Sequence, residues 1–203
     1  DMFLIAEDCE VIEGTSDYRE IHCCNQVSEA LSQGSLVFKN QRFGWVGVDV
    51  WLPQEADYMG ESELEDVAET LRLEHALPKW GAELSEKTLP PEAGFDRFGI
   101  SYTKGCYVGQ ETIARIKSIG HVNRSLRCLV LSQADVKVNT LLLVGDKKAG
   151  TVTSVGFSPT LEKPMALAYL QRGHENEGTS FTLADSDVTA EAISNPLQLV
   201  PAS

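Results

Sequence analysis

No apolar run in the 203-residue chain approaches the ~18 residues that a membrane-spanning helix needs. The most hydrophobic window, Leu141 to Val144, is short and runs at once into Gly145-Asp146. A basic leader is missing too: Asp1-Met2-Phe3-Leu4-Ile5-Ala6 is interrupted by Glu7-Asp8, and reads as an edge of folded structure rather than a secretory signal. The cysteines lack the pattern of a disulfide framework. Cys9, Cys23, Cys24, Cys106 and Cys128 are odd in number, unevenly spaced and without a CxxC, which points to free thiols in a reducing compartment, cytoplasmic or, in a eukaryote, the mitochondrial matrix. His22, His75, His121 and His174 show no ligand spacing, so no metal held by this chain alone is expected. Positive charge is scarce, with 17 Lys+Arg against 30 Asp+Glu and a formal charge of −13. That balance opposes adhesion to nucleic acid or anionic lipid, so neither a membrane nor a direct nucleic-acid partner is expected. Internal repeats and low-complexity tracts are absent as well.

What is present is 42% apolar residues, enough to bury at least one core. Strand-like runs at Phe3 to Ala6 and Tyr18 to Cys23 are followed by Val27, Ala30 and Leu31 at helical spacing before Gly34. Ser35 to Lys39 and Phe43 to Leu52, joined by Asn40-Gln41-Arg42, predict a hairpin that Pro53 ends. Ser62 with Glu65 makes a capping box, and Leu64, Val67, Ala68 and Leu71 predict the apolar face of a helix whose last turn delivers Arg72, Leu73 and Glu74. Leu89-Pro90-Pro91 leads to a short strand-like run at Ile100 to Tyr102, then a glycine-punctuated turn, then a helical piece near Thr112 to Lys117. Beyond Asn123 the character changes. Leu126 to Leu131, Leu141 to Val144, Thr151 to Val155, Ala166 to Leu170, Thr179 to Leu183 and Val188 to Ile193 are short strands divided by Gly, Asp, Asn or Pro, the spacing of a small barrel or sandwich. The expected organisation is α+β, with residues 1–122 mixed and 123–203 all-β.

The stretch Lys104-Gly105-Cys106-Tyr107-Val108-Gly109-Gln110-Glu111 reads as a tight turn, in which Gly105 and Gly109 permit backbone angles or approaches that side chains block. With a helix starting near Gly109 or Gln110, Cys106 lies just before a helix N-terminus and close to Lys104, and both favour thiolate. On spacing alone, a small buried thiol filling the turn is the simpler reading. The turn sits in a basic island: Arg97, Lys104, Arg115, Lys117, Arg124 and Arg127 face Glu111 alone.

The octapeptide, with Ala114-Arg115 after it, resembles the KGCYxGQE…AR signature of YgfZ-type proteins, relatives of the glycine-cleavage aminomethyltransferase that include mitochondrial iron–sulfur assembly factors. Supporting stretches are Arg72 to Gly81, Pro90-Pro91, Gly120 to Arg124, Gly150 to Ser154 and Ala166 to Ala168. The resemblance implies a GcvT/YgfZ-like mixed α/β folate-binding region and a C-terminal β-barrel, within a three-domain ring around a hole that holds a reduced folate. Tetrahydrofolate is the implied cofactor and Cys106 the implied catalytic thiol. The implied cofactor-binding residues are Glu74, Arg72, Lys104, Tyr107, Gln110 and Arg115. Leu71-Arg72-Leu73-Glu74 resembles the transferase's RLE motif, whose glutamate contacts the pterin; such a carboxylate can accept two parallel N–H bonds. Arg72 would brace the helix end or touch the ligand. Lys104, Arg115 and Lys117 would meet the folate's glutamate tail, and Trp80 or Tyr107 would stack on the pterin. In this reading the Cys106 thiol and the Glu74 carboxylate line one cavity. The chain is expected to begin partway through the family pattern, because the usual opening segment, with an early strand and a “GQ-TND” stretch, is not found before the Asp1 stretch. The first domain and its pocket are therefore expected to be incomplete, and the transferases' catalytic aspartate belongs to that upstream region.

Three functions fit. The first is a tetrahydrofolate-binding factor supporting iron–sulfur cluster assembly or repair in client proteins, including tRNA-modifying ones. The second is an aminomethyltransferase that moves a one-carbon unit from a carrier-bound aminomethyl group to tetrahydrofolate. The third is a non-catalytic binding module. The cysteine-containing signature favours the first and Glu74 the second, and whether any reaction is catalysed stays open.

Overall fold

The structure is a computed structural model that describes residues 13–23, 33–40, 47–56 and 65–194. The run Phe3 to Ala6, the helical signal at Val27 to Leu31 and Ser62 of the capping box lie outside the described residues. The chain divides into two compact units, 1–62 and 63–203.

In the first unit, β1 (Tyr18–Cys23), β2 (Leu36–Asn40) and β3 (Gly47–Pro53) form an antiparallel sheet in the order β1-β3-β2. β2 and β3 pair antiparallel from Leu36↔Trp51 to Asn40↔Gly47, so Asn40 stands in the ladder rather than in the expected turn; residues 41–46 lie outside the described residues. Period-2 alternation puts Val50 and Leu52 on a buried face, while Trp51 on the other face packs edge-on against Phe38, with ring centroids 5.9 Å apart. Asp49 is buried, accepts from Asn40 Nδ2 and lies 2.6 Å from His22 Nδ1.

The second unit is built on a closed antiparallel barrel. Its strands are β4 (Arg124–Leu131), β5 (Leu141–Val144), β6 (Lys147–Ser158), β7 (Lys163–Gln171), β8 (Ser180–Leu183) and β9 (Thr189–Ala192), in the order β4-β7-β6-β5-β8-β9. All six lie where the sequence puts short strands, and closure leaves no sheet edge to protect. Leu129, Leu131, Leu142, Ala149, Val152, Ala166, Ala168, Leu170, Phe181 and Leu183 fill the inside. Alternation then sends Leu126 and Cys128 of β4 and Met165, Leu167 and Tyr169 of β7 outward, where they would face water unless covered. The cover is the end of α1 (Glu65–Glu74), through Leu73 and the following Ala76.

That docking departs from the expected apolar face. Val67 and Ala68 are exposed and Leu71 is only partly buried, whereas Arg72 to Ala76 is buried throughout. The helix meets the barrel with its last turn rather than along one side. The turn closes with Leu77 N–H donating to Arg72 O at 2.9 Å and Ala76 in the left-handed region at φ 51°. Ile100 to Tyr102 is not a strand, since no strand among the described residues pairs with it; a 3-10 turn, Phe95–Arg97, precedes it instead. The last helix, α2, runs Gln110–Ile119 and ends on Gly120 in the left-handed region.

Candidate functional site

The residues Arg72-Leu73-Glu74 fit a complementary row on β6. A bulge between Val152 and Ser154 resets the strand so that Ser154, Gly156 and Ser158 share its outer face. Each meets one residue of the helix end. Arg72 Nη2 donates to Ser154 Oγ at 2.8 Å, Leu73 lies over Gly156, and Ser158 Oγ donates to Glu74 Oε1. A Cβ on Gly156 would stand 2.4 Å from Leu73 Cδ1, so glycine is required there by close approach rather than by backbone angle.

Arg72 spends every donor inside the chain. Nε and Nη2 take the two oxygens of Glu69 at 2.9 and 2.5 Å, Nη1 takes Leu77 O and Glu83 Oε2 at 2.9 Å each, and Nη2 also reaches Ser154. A guanidinium has five N–H groups, and these are five bonds. Burial works against its charge, but Glu69 and Glu83 outweigh that and hold the guanidinium above its ordinary value. In return the hydrogen bonds from Arg72 pull the Glu69 carboxyl below the usual range, against a smaller opposing effect of burial. The Glu83 side chain is fully buried and accepts from Ser154 Oγ at 2.6 Å and from Lys79 N–H at 3.0 Å as well. Losing one partner of such a buried pair costs ~3–5 kcal/mol. The geometry of Arg72 is that of a brace, with no N–H left to give a ligand.

Glu74 differs. It is 2% exposed, and Oε1 accepts both the Ser158 hydroxyl and the Thr160 N–H, the latter at 3.2 Å. A carboxylate oxygen offers about two acceptor sites, so Oε1 is full. The expected clasp of two parallel N–H bonds on two oxygens is therefore closed to it. Its hydrogen bonds among the described residues all fall on Oε1, which leaves Oε2 as the acceptor for anything else.

The glycine-framed turn is elsewhere on the same unit. Gly109 is the N-cap of α2 at φ 88°, so its lack of a side chain is needed; Gly105 has no positive φ and no atom within 4 Å of an added Cβ, so the expected constraint there is absent. Cys106 is exposed, not the buried filler that spacing alone favours. Lys104, Tyr107 and Val108 fold over a hollow of about 270 Å³ shared with Pro90, Phe95 and Ile113. Neither Cys106 nor Glu74 lines that hollow, so the structure does not bring the two onto its wall. Lys104 Nζ stands 4.8 Å from the Tyr107 ring centre and Lys117 Nζ 3.5 Å from that of Tyr102, which covers one face of each ring. Gln110 opens α2 half-buried, Arg115 is exposed, and Trp80 is exposed in a different groove. Much of the basic island is structural: Arg124 pairs with Glu92 at 2.8 Å, Arg97 donates to Ala76 O and Arg127 to Glu175 O. The other unit-2 thiol, Cys128, is pushed up to about 12 by burial, against Arg97 and Arg127, and is inert beside the exposed Cys106.

This architecture has counterparts among known proteins. Residues 124–197 match the glycine cleavage T-protein C-terminal barrel domain family. An aminomethyltransferase of Symbiobacterium thermophilum is 37% identical over 112 residues, covering 55% of this chain and 30% of that protein. One from Streptomyces avermitilis is 35% identical over 115 residues, covering 55% and 31%. Human mitochondrial dimethylglycine dehydrogenase is 32% identical over 133 residues, 64% of this chain and 15% of that protein. In fold, the chain superposes on the glycine cleavage aminomethyltransferase T of Bartonella henselae with a TM-score of 0.67 at 22% identity, over 81% of this chain and half of that one. The chain thus spans about a third of the length of the curated aminomethyltransferases it matches. The mixed α/β region ending in a six-stranded barrel is the T-protein fold.

Around Arg72-Leu73-Glu74, sequence reading missed Ser154 and Ser158 of β6 and Glu83, which lies ahead of the barrel. The signal available was Ser154-Val155-Gly156-Phe157-Ser158, small residues at every second position of a barrel strand, a pattern that marks close approach of another element.

Proposed function

We propose that this chain belongs to a tetrahydrofolate-dependent protein of the aminomethyltransferase type, which moves a one-carbon unit from a carrier-bound aminomethyl group to tetrahydrofolate. The observation that carries the reading is Glu74: a buried carboxylate at a helix exit, with one oxygen filled and the other without a partner among the described residues. Oε2 is the acceptor left for a ligand, and the pterin edge supplies two N–H groups that can converge on it. The relatives named aminomethyltransferase favour the same reading. Bound tetrahydrofolate would supply the nitrogens that take up the one-carbon unit. The chain's part is to hold the pterin through Glu74 and the glutamate tail through the exposed cations Lys104, Arg115 and Lys117, with Arg72 bracing the helix end.

A second reading, YgfZ-type support of iron–sulfur enzymes, rests on the exposed Cys106 of the KGCYVGQE turn, just before the α2 N-terminus. One set of measurements separates the two. Calorimetric titration with tetrahydrofolate should show binding, weakened about tenfold by Glu74→Gln, the cost of one charge-assisted hydrogen bond. Addition of aminomethyl-loaded lipoyl carrier protein should then yield methylenetetrahydrofolate and ammonia. Folate binding without either product, together with loss of iron–sulfur enzyme rescue in cells carrying Cys106→Ala, would transfer the case to the second reading. Absence of folate binding by the folded protein would end both and leave a binding module.

A further inference from the structure

We propose that Ser158, on the T-protein barrel, is a positioning residue for the pterin-binding acid and acts through Glu74; this rests on the folate reading above. Ser158 is fully buried at the end of β6. Its Oγ accepts the Leu161 N–H at 3.1 Å, and this bond fixes the rotation of the hydroxyl so that its proton points at Glu74 Oε1. The Thr160 N–H, from the same turn between β6 and β7, takes the remaining site on Oε1. One short turn of the barrel therefore dictates how a carboxylate on a different element is rotated.

The consequence falls on how the pterin edge is met. With Oε1 saturated, the acid offers Oε2 alone, so the two parallel N–H groups of the pterin cannot each take a separate oxygen. It can receive donors that converge on a single oxygen, and Oε2 is held in one orientation to do so. Without Ser158, Oε1 regains an open site, the carboxylate can rotate, and part of the binding free energy goes into ordering it again. The Ser158 hydroxyl never touches the ligand in this scheme; its effect passes entirely through Glu74.

The test is a double-mutant cycle on tetrahydrofolate affinity, with thermal unfolding measured alongside. Ser158→Ala should weaken binding about tenfold in the native background and leave it unchanged in the Glu74→Gln background. Ser158→Cys, close in size with a weaker donor, should weaken binding less and in the same direction, which keeps the test alive if the alanine variant fails to fold. A serine that merely stabilises the barrel would lower the melting temperature and leave affinity alone. That result, or a loss that adds in full to that of Glu74→Gln, would overturn the proposal. Affinity indifferent to Glu74→Gln is a different failure, since it removes the folate role of Glu74 itself.

Discussion

His75 follows the pterin-binding candidate directly, is 6% exposed, and neither ring nitrogen has a hydrogen-bond partner among the described residues. An unpaired buried polar group of this kind costs ~1–3 kcal/mol. Burial pushes the imidazole below its ordinary range; the Glu74 charge opposes this and Arg97 adds to it. The unfolded chain therefore takes up the proton first. Stability is complete above the ordinary imidazole value, ~6.5, and falls as pH drops through it towards the lower folded value. His75→Leu removes both the unpaired nitrogens and the titration. It should raise stability at neutral pH by ~1–3 kcal/mol and flatten the loss between about pH 7 and 5, read by urea unfolding at both ends. Lower stability in the leucine variant would mean that the ring nitrogens have a partner.

At the scale of elements, the decisive contact is α1 against β6. Gly156→Ala would press a methyl onto Leu73, which is 1% exposed and has no room to turn away. A destabilisation of ~1–3 kcal/mol is expected, with most of it recovered when Leu73→Ala is added, because the clash is then gone although a cavity remains. Simple addition of the two losses would show that Gly156 serves the strand's own backbone. The same contact explains what could be read in advance. The barrel strands were legible because closure buries their inner positions and punctuates them with Gly, Asp and Asn. β6 runs from Lys147 to Ser158, well past the expected Thr151 to Val155, and its outer face there is small and polar to fit Arg72-Leu73-Glu74. The buried end of α1 was illegible for the mirror-image reason: Arg72, Glu74 and His75 are polar by type, and Arg72 and Glu74 reach partners more than eighty residues away, Ser154 and Ser158, that local sequence does not reveal. Of the candidate site, the turn ahead of α2 and its Gly109 were plain from local chemistry, whereas the roles of Arg72 and Glu74 depend on which donors and acceptors are already taken.

For the whole chain, the change in composition near Asn123 marks where all-β sequence begins, but the physical unit containing the barrel is 63–203. The difference matters because β4 and β7 are apolar on both faces. A piece spanning 123–203 would turn Leu126, Met165, Leu167 and Tyr169 towards water and leave Ser154 and Ser158 without Arg72 and Glu74. Exposed apolar patches of that kind drive association, and the loss of the Leu73 contact alone removes ~1.5–3 kcal/mol. Residues 63–203 keep the cover, the Arg72–Glu83 pair and the bond from Leu126 N–H to Glu92 O at 2.8 Å. Expressed separately, 63–203 should be monomeric and unfold in one cooperative transition, whereas 123–203 should melt lower and associate in a concentration-dependent way. Equal melting temperatures and a monomeric 123–203 would mean that the barrel is self-sufficient. In that case the row Ser154-Gly156-Ser158 would exist for the sake of the Glu74 site rather than for folding.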